Sequence, residues 1–81
     1  MSAGDVGKAM LALMDALSDE IFRTEAMAEE LTRTATAVSG YLPNADAIRD
    51  TAVRQRVQAI ELRGELAALR DEFAERFPLK L

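Results

Sequence analysis

A chain of 81 residues that is 49% hydrophobic and 30% charged fits one domain, residues 1–81, and is too apolar for a disordered tail. It has no cysteine and no histidine. That excludes a disulfide staple, a structural zinc site and the usual general base and nucleophile, so neither an enzyme nor a metal or cofactor binder is expected. Oligomerisation is the remaining common way to stabilise so short a chain.

The net charge of −4 is unevenly spread: residues 1–40 hold three cations against seven acids, while 41–81 hold seven against seven. Eight of the ten cations are arginine. Arginine suits bidentate ion pairing and phosphate binding, and its excess over lysine also fits a GC-rich genome and a small bacterial or phage-like protein. The longest apolar run, Ala9 to Met14, falls far short of the roughly 20 residues that span a bilayer, so no membrane association is expected. Lys8 is the only early cation and Asp15 cuts the apolar run, so the N-terminus reads as mature. Absence of cysteine fits a cytoplasmic location.

In chain order, the first helix is predicted over about residues 5–39, with Asp5 as N-cap and, beyond it, no glycine or proline except Gly7 in the first turn. A variant reading breaks it at Ser18, whose hydroxyl could cap a new start ahead of Asp19 and Glu20. Gly40 sits where a C′ residue belongs and Pro43 blocks continuation, which gives a turn over 40–43. Within that turn Tyr41 and Leu42 either close the end of the core or form an exposed binding tip. Asn44 is placed to cap a second helix over about 44–77, with Asp46 in its first turn and Pro78 as its stop. Two helices of nearly equal length joined by a short turn fold back to back as an antiparallel αα-hairpin.

In the first helix Met10, Met14, Leu17, Ile21, Thr24, Ala28, Leu31, Ala35 and Val38 alternate spacings of four and three, the pattern of a coiled-coil seam. The matching series in the second helix is Ile48, Ala52, Gln55, Ala59, Leu62, Leu66, Leu69 and Phe73. Folding about the turn sets Leu17 near Leu66, Ile21 near Leu62, Thr24 near Ala59, Ala28 near Gln55 and Leu31 near Ala52. Large residues then crowd the open end, and the small, faintly polar middle invites close approach and a Thr24/Gln55 layer that fixes register.

One seam does not use up the apolar side chains. Val53, Val57, Ile60, Gly64 and Ala67 form a second stripe on the second helix, and Leu11 and Phe22 share a face of the first helix off its seam. Val6, Leu13 and Met27 widen that seam on its other flank. Gly64 in mid-helix costs about 1 kcal/mol against alanine, which close contact with another backbone could offset. The expected assembly is a homodimeric four-helix bundle or a larger helical oligomer, with a helical protein client as the alternative occupant of the second stripe.

Arg49, Arg56, Arg63 and Arg70 recur every seven residues beside the second seam, making a ladder with rungs roughly 10 Å apart. Acids of the first helix, from the same or another subunit, are the expected partners: Asp15, Asp19, Glu20, Glu25, Glu29 and Glu30. The competing reading is a nucleic-acid or nucleotide site. A net acidic chain with two lysines makes nucleic acid an unlikely partner, because it lacks the broad basic footprint. Gly4, Gly7 and Lys8 do not make a phosphate loop, since no strand precedes them and Ala9 stands where Ser or Thr is required. The acid pairs Asp19/Glu20, Glu29/Glu30 and Asp71/Glu72 are sequence neighbours that diverge around their helices. No motif ties the chain to a known group of helical hairpins: the turn lacks the Trp-x-Gly of secreted hairpins, and the first helix is too acidic for the RNA-binding face of plasmid copy-control bundles. The residues lead to a non-enzymatic interaction or oligomerisation module.

Overall fold

The computed structural model describes residues 2–38 and 44–79. The expected turn at 40–43, the proposed tip at Tyr41 and Leu42, and the last residue of the first predicted helix, Ser39, lie outside the described residues. Two helices account for almost all the rest: α1, Ala3–Val38, and α2, Ala45–Arg76.

α1 begins two residues ahead of Asp5 because Ser2, not Asp5, holds the N-cap position. The Ser2 carbonyl accepts the first helical hydrogen bond from the Val6 N–H at 3.1 Å. Its hydroxyl accepts from the Asp5 N–H at 3.2 Å, while the Asp5 carboxylate accepts from the Ser2 N–H at 3.4 Å. This is a capping box with aspartate in the usual glutamate position, satisfying two otherwise orphaned donors. From there α1 runs unbroken for 36 residues. It passes through Ser18, so the variant with a break there is not the observed one. Thr32, Thr34 and Thr36, which dilute helix propensity near the end of α1, each donate a side-chain bond to the carbonyl four residues back, at 2.9–3.0 Å.

Asn44 occupies the N-cap position of α2, and its carbonyl accepts from the Ile48 N–H at 3.1 Å, but its side chain makes no capping bond. The other end stops one residue before Phe77. Proline disfavours helical geometry in the residue ahead of it, and Phe77 has accordingly left the helix, with ψ at 64°, while its N–H still bonds the Phe73 carbonyl at 2.8 Å.

The helices pack along their length as an antiparallel hairpin, with Gly7 against Phe77 at one end and Thr32 bonded to Arg56 towards the other. Every seam position named above is buried or half-buried. Apart from Thr24, the most completely covered recur every seven residues: Ala28 and Ala35 on α1 and Ala45, Ala52 and Ala59 on α2, none more than 5% exposed. Small side chains at this spacing leave room for close approach of the two backbones, while the larger flanking Leu31, Val38, Ile48 and Leu62 are only half covered.

The alignment of the two seams differs from the one obtained by folding about a four-residue turn. Ala28 shares a cleft with Ala59, Ile21 with Leu66, and Leu17 with Leu69. Each partner lies three or four residues further along α2 than expected, an offset that sets alanine against alanine in the middle. The Thr24/Gln55 layer is correspondingly not formed. Thr24 is 4% exposed, but no hydrogen bond joins it to Gln55.

The open end is filled differently. Phe73 and Phe77 stack at 4.9 Å between ring centroids, tilted by 38°. Gly7 lies under the Phe77 ring, so close that a Cβ there would sit 3.3 Å from the ring edge. The extents of 59 × 19 × 17 Å describe a rod two helices wide. Among the described residues no large side chain is completely buried, because two helices share a single apolar layer.

Candidate interaction surface

The surface follows from where the helical repeat places each residue once the seams are joined. In an antiparallel pair, residues just past the seam on α1 meet their equivalents on α2 along one edge, and residues just before it meet along the other. The ladder rungs Arg70, Arg63 and Arg56 therefore face the α1 positions Ser18, Glu25 and Thr32, in that order. The contacts agree. Arg63 forms an ion pair with Glu25, and Arg56 donates to the Thr32 hydroxyl at 2.8 Å.

Among the described residues, Arg63 is the rung whose ion pair with an acid of α1 is seen. Arg49 pairs with Asp46 of its own helix at 3.0 Å. Arg70 lines a cleft with Ser18, Phe22 and Glu25, and makes no ion pair among the described residues. Of the other expected partners, Glu20 pairs with Arg23 at 2.8 Å, Glu29 and Glu30 pair with Arg33 at 3.6 and 2.9 Å, and Asp15 and Asp19 form no ion pair among the described residues. Arg23, on the solvent side of α1, is raised above the ordinary guanidinium value by its hydrogen bond to Glu20 and then by that carboxylate's charge. All of these pairs are exposed, so solvent screening leaves each little to contribute.

The apolar candidates are uncovered. Val53, Val57 and Ile60 are 54%, 47% and 68% exposed, and Leu11 and Phe22 are 48% and 76% exposed. Ala67 is exposed, and Gly64 has no atom within 4 Å of where a Cβ would stand. Within the hairpin, Gly64 thus gives up helix propensity without gaining a close contact. Val53 and Val57 line a cleft with Arg54, Gln58 and Glu61, while two other clefts join Ile60 and Phe22 to the ladder. One, of about 400 Å³, is lined by Glu25, Glu29, Arg56, Ile60 and Arg63. The next holds Phe22 with Arg63 and Arg70. Phe22, Ile60 and three of the four arginines consequently share one face of the rod.

Leu13 lies elsewhere. It lines a cleft with Leu17, Glu65, Leu69 and Glu72 on the opposite edge, and Met27 falls on the same side by its spacing of fourteen. The widened apolar flank of α1 is thus split from the face that carries the second stripe of α2. Opposite Leu13 and Met27, α2 presents Gln58, Glu65 and Glu72. That edge therefore has exposed apolar residues of its own, flanked by carboxylates, whereas the Phe22 edge joins apolar residues to a row of cations.

Among the described residues no three carboxylates converge on a metal-sized space, and no helix is long and apolar enough to cross a membrane. Fold and surface together define an all-α helical hairpin with exposed apolar residues along its length. Comparison of the chain with family models, with curated proteins and with solved structures finds no match.

Proposed function

We propose that the chain is a non-enzymatic interaction module that self-associates through the Phe22 edge, using the second stripe of α2 as its apolar contact and the arginine ladder for ion pairing at the rim. The observation that carries this reading is the exposure of Val53, Val57, Ile60 and Phe22 on a rod with no completely buried large side chain. Burying apolar surface releases about 25 cal/mol per Å². A two-helix rod leaves much of that undone, and a four-helix bundle or larger helical oligomer in the cytoplasm would complete it.

The area supports the same reading. The 8.9 kDa chain exposes 6059 Å², whereas a compact monomer of that mass exposes about 4,800 Å². The excess exceeds the ~800 Å² per partner that a standard interface buries. Replacing Ile60 by glutamate places a charge at the centre of the stripe. The expected outcome is loss of the oligomer at micromolar concentration by light scattering, with helicity retained by circular dichroism. An Ile60→Glu oligomer of unchanged mass would contradict this reading.

The second reading is a nucleic-acid or nucleotide binder, favoured by Arg70, which makes no ion pair among the described residues. Against it, Glu25 and Glu29 line the same cleft as Arg56 and Arg63, so a polyanion would meet carboxylates along the ladder. Arg56→Gln with Arg63→Gln separates the two. Self-association predicts weaker assembly, and anion binding predicts intact assembly with loss of a bound ligand.

A further inference from the structure

We infer that the occupant of the Phe22 edge is a second copy of this chain, related by a two-fold axis along the rod, so that α1 of each copy lies on α2 of the other with both connectors at the same end. The inference rests on the self-association proposed above and adds its geometry. Two hairpins meeting face to face along their length have two symmetric choices. A two-fold across the rod stacks α1 on α1 and α2 on α2. A two-fold along the rod stacks α1 on α2, twice.

Charge decides between them. On this edge α1 carries Asp15, Glu25 and Glu29 beside Leu11 and Phe22, with Lys8 as its one cation at the open end. α2 carries Arg56, Arg63 and Arg70 beside Val53, Ile60 and Ala67. Stacking like helices sets acids on acids and arginines on arginines, and like charges across an interface oppose docking. Stacking unlike helices sets each arginine row on an acidic row. The two-fold along the rod also keeps the levels of the hairpin itself. Gly7 is level with Phe77, Glu25 with Arg63 and Thr32 with Arg56.

Interpolating between those levels gives the contacts. Phe22 of the second copy comes level with Gly64, between Ile60 and Ala67. Asp15 of the second copy comes level with Arg70, which makes no ion pair among the described residues. Glu29 of the second copy comes level with Ala59, about midway between Arg56 and Arg63. A protruding aromatic ring thus meets the one place on α2 where a glycine and an alanine leave room for it. This accounts for Gly64, which no contact within the chain explains.

The test uses the full chain in two forms, Asp15→Arg and Arg70→Glu, each alone and then mixed. In the proposed dimer each single variant sets two pairs of like charges face to face, and its self-association should weaken about tenfold. The mixed dimer has one native and one reversed pair, both attractive, so mixing should restore assembly to near the wild-type level as a heterodimer, read by native mass spectrometry. A bridge within one chain is not repaired by mixing. Neither is the two-fold across the rod, which sets Asp15 on α1 and Arg70 on α2. A wild-type dimer whose variants show no preference for each other would overturn this arrangement and leave self-association standing. A wild-type monomer at 100 µM, a concentration of about the order at which weak dimers persist, would overturn both.

Discussion

Single residues at the ends of the rod set its boundaries. The Ser2 hydroxyl caps α1 through the Asp5 N–H, and its removal in Ser2→Ala should cost about 1 kcal/mol. The measurement is thermal unfolding at fixed protein concentration together with hydrogen exchange in the first turn, where protection should fall. An unchanged first turn would show that the box contributes nothing. The serine and aspartate are visible in the sequence, but Asp5 is itself a good cap residue, and only the two-way bonding between Ser2 and Asp5 separates the possibilities. Gly7 was equally hard to read. A glycine in a first turn is unremarkable by its spacing, and its fit beneath Phe77 depends on a residue seventy positions away.

At the scale of the elements, the heptad pattern made both seams legible. Alternating spacings of three and four leave one face for the partner, and that face is the one covered. The relative alignment of the helices was not legible, because a heptad pattern repeats and a slip of half a repeat still sets apolar residues against apolar residues. What selects the observed alignment is the run of buried alanines. Ala52, 1% exposed, has no room for a larger side chain, and Ala52→Leu should destabilise the hairpin by about 1–3 kcal/mol in urea titration. Removing the interhelical ion pair with Glu25→Gln should cost less than about 1 kcal/mol, since both side chains are roughly half exposed. The reverse order of these two effects would mean that charge, not alanine packing, sets the alignment.

At the scale of the whole molecule, the radius of gyration of 18.2 Å compares with about 12 Å for a compact domain of this length. Such a rod has too little interior for its apolar content, and the two most exposed large apolar residues of the helices, Phe22 and Ile60, share one edge. That a second stripe exists is readable from Val53, Val57, Ile60, Gly64 and Ala67. Which flank of α1 accompanies it is not, because Leu11 and Phe22 on one side and Leu13 and Met27 on the other are equally apolar, and only the joined hairpin shows which of them shares an edge with the ladder. If folding and assembly are coupled, the unfolding temperature rises with protein concentration. A melting temperature that stays constant over a hundredfold range of concentration would separate the two.

The most direct measurement is absolute mass by light scattering on a size-exclusion column, with absorbance at 260 and 280 nm recorded across the peak. A mass of two chains or a higher multiple of 8.9 kDa, with no excess absorbance at 260 nm, is the predicted result. A monomer would contradict self-association and leave the Phe22 edge to a different protein, while a co-eluting 260 nm signal would assign the arginine ladder to an external anion.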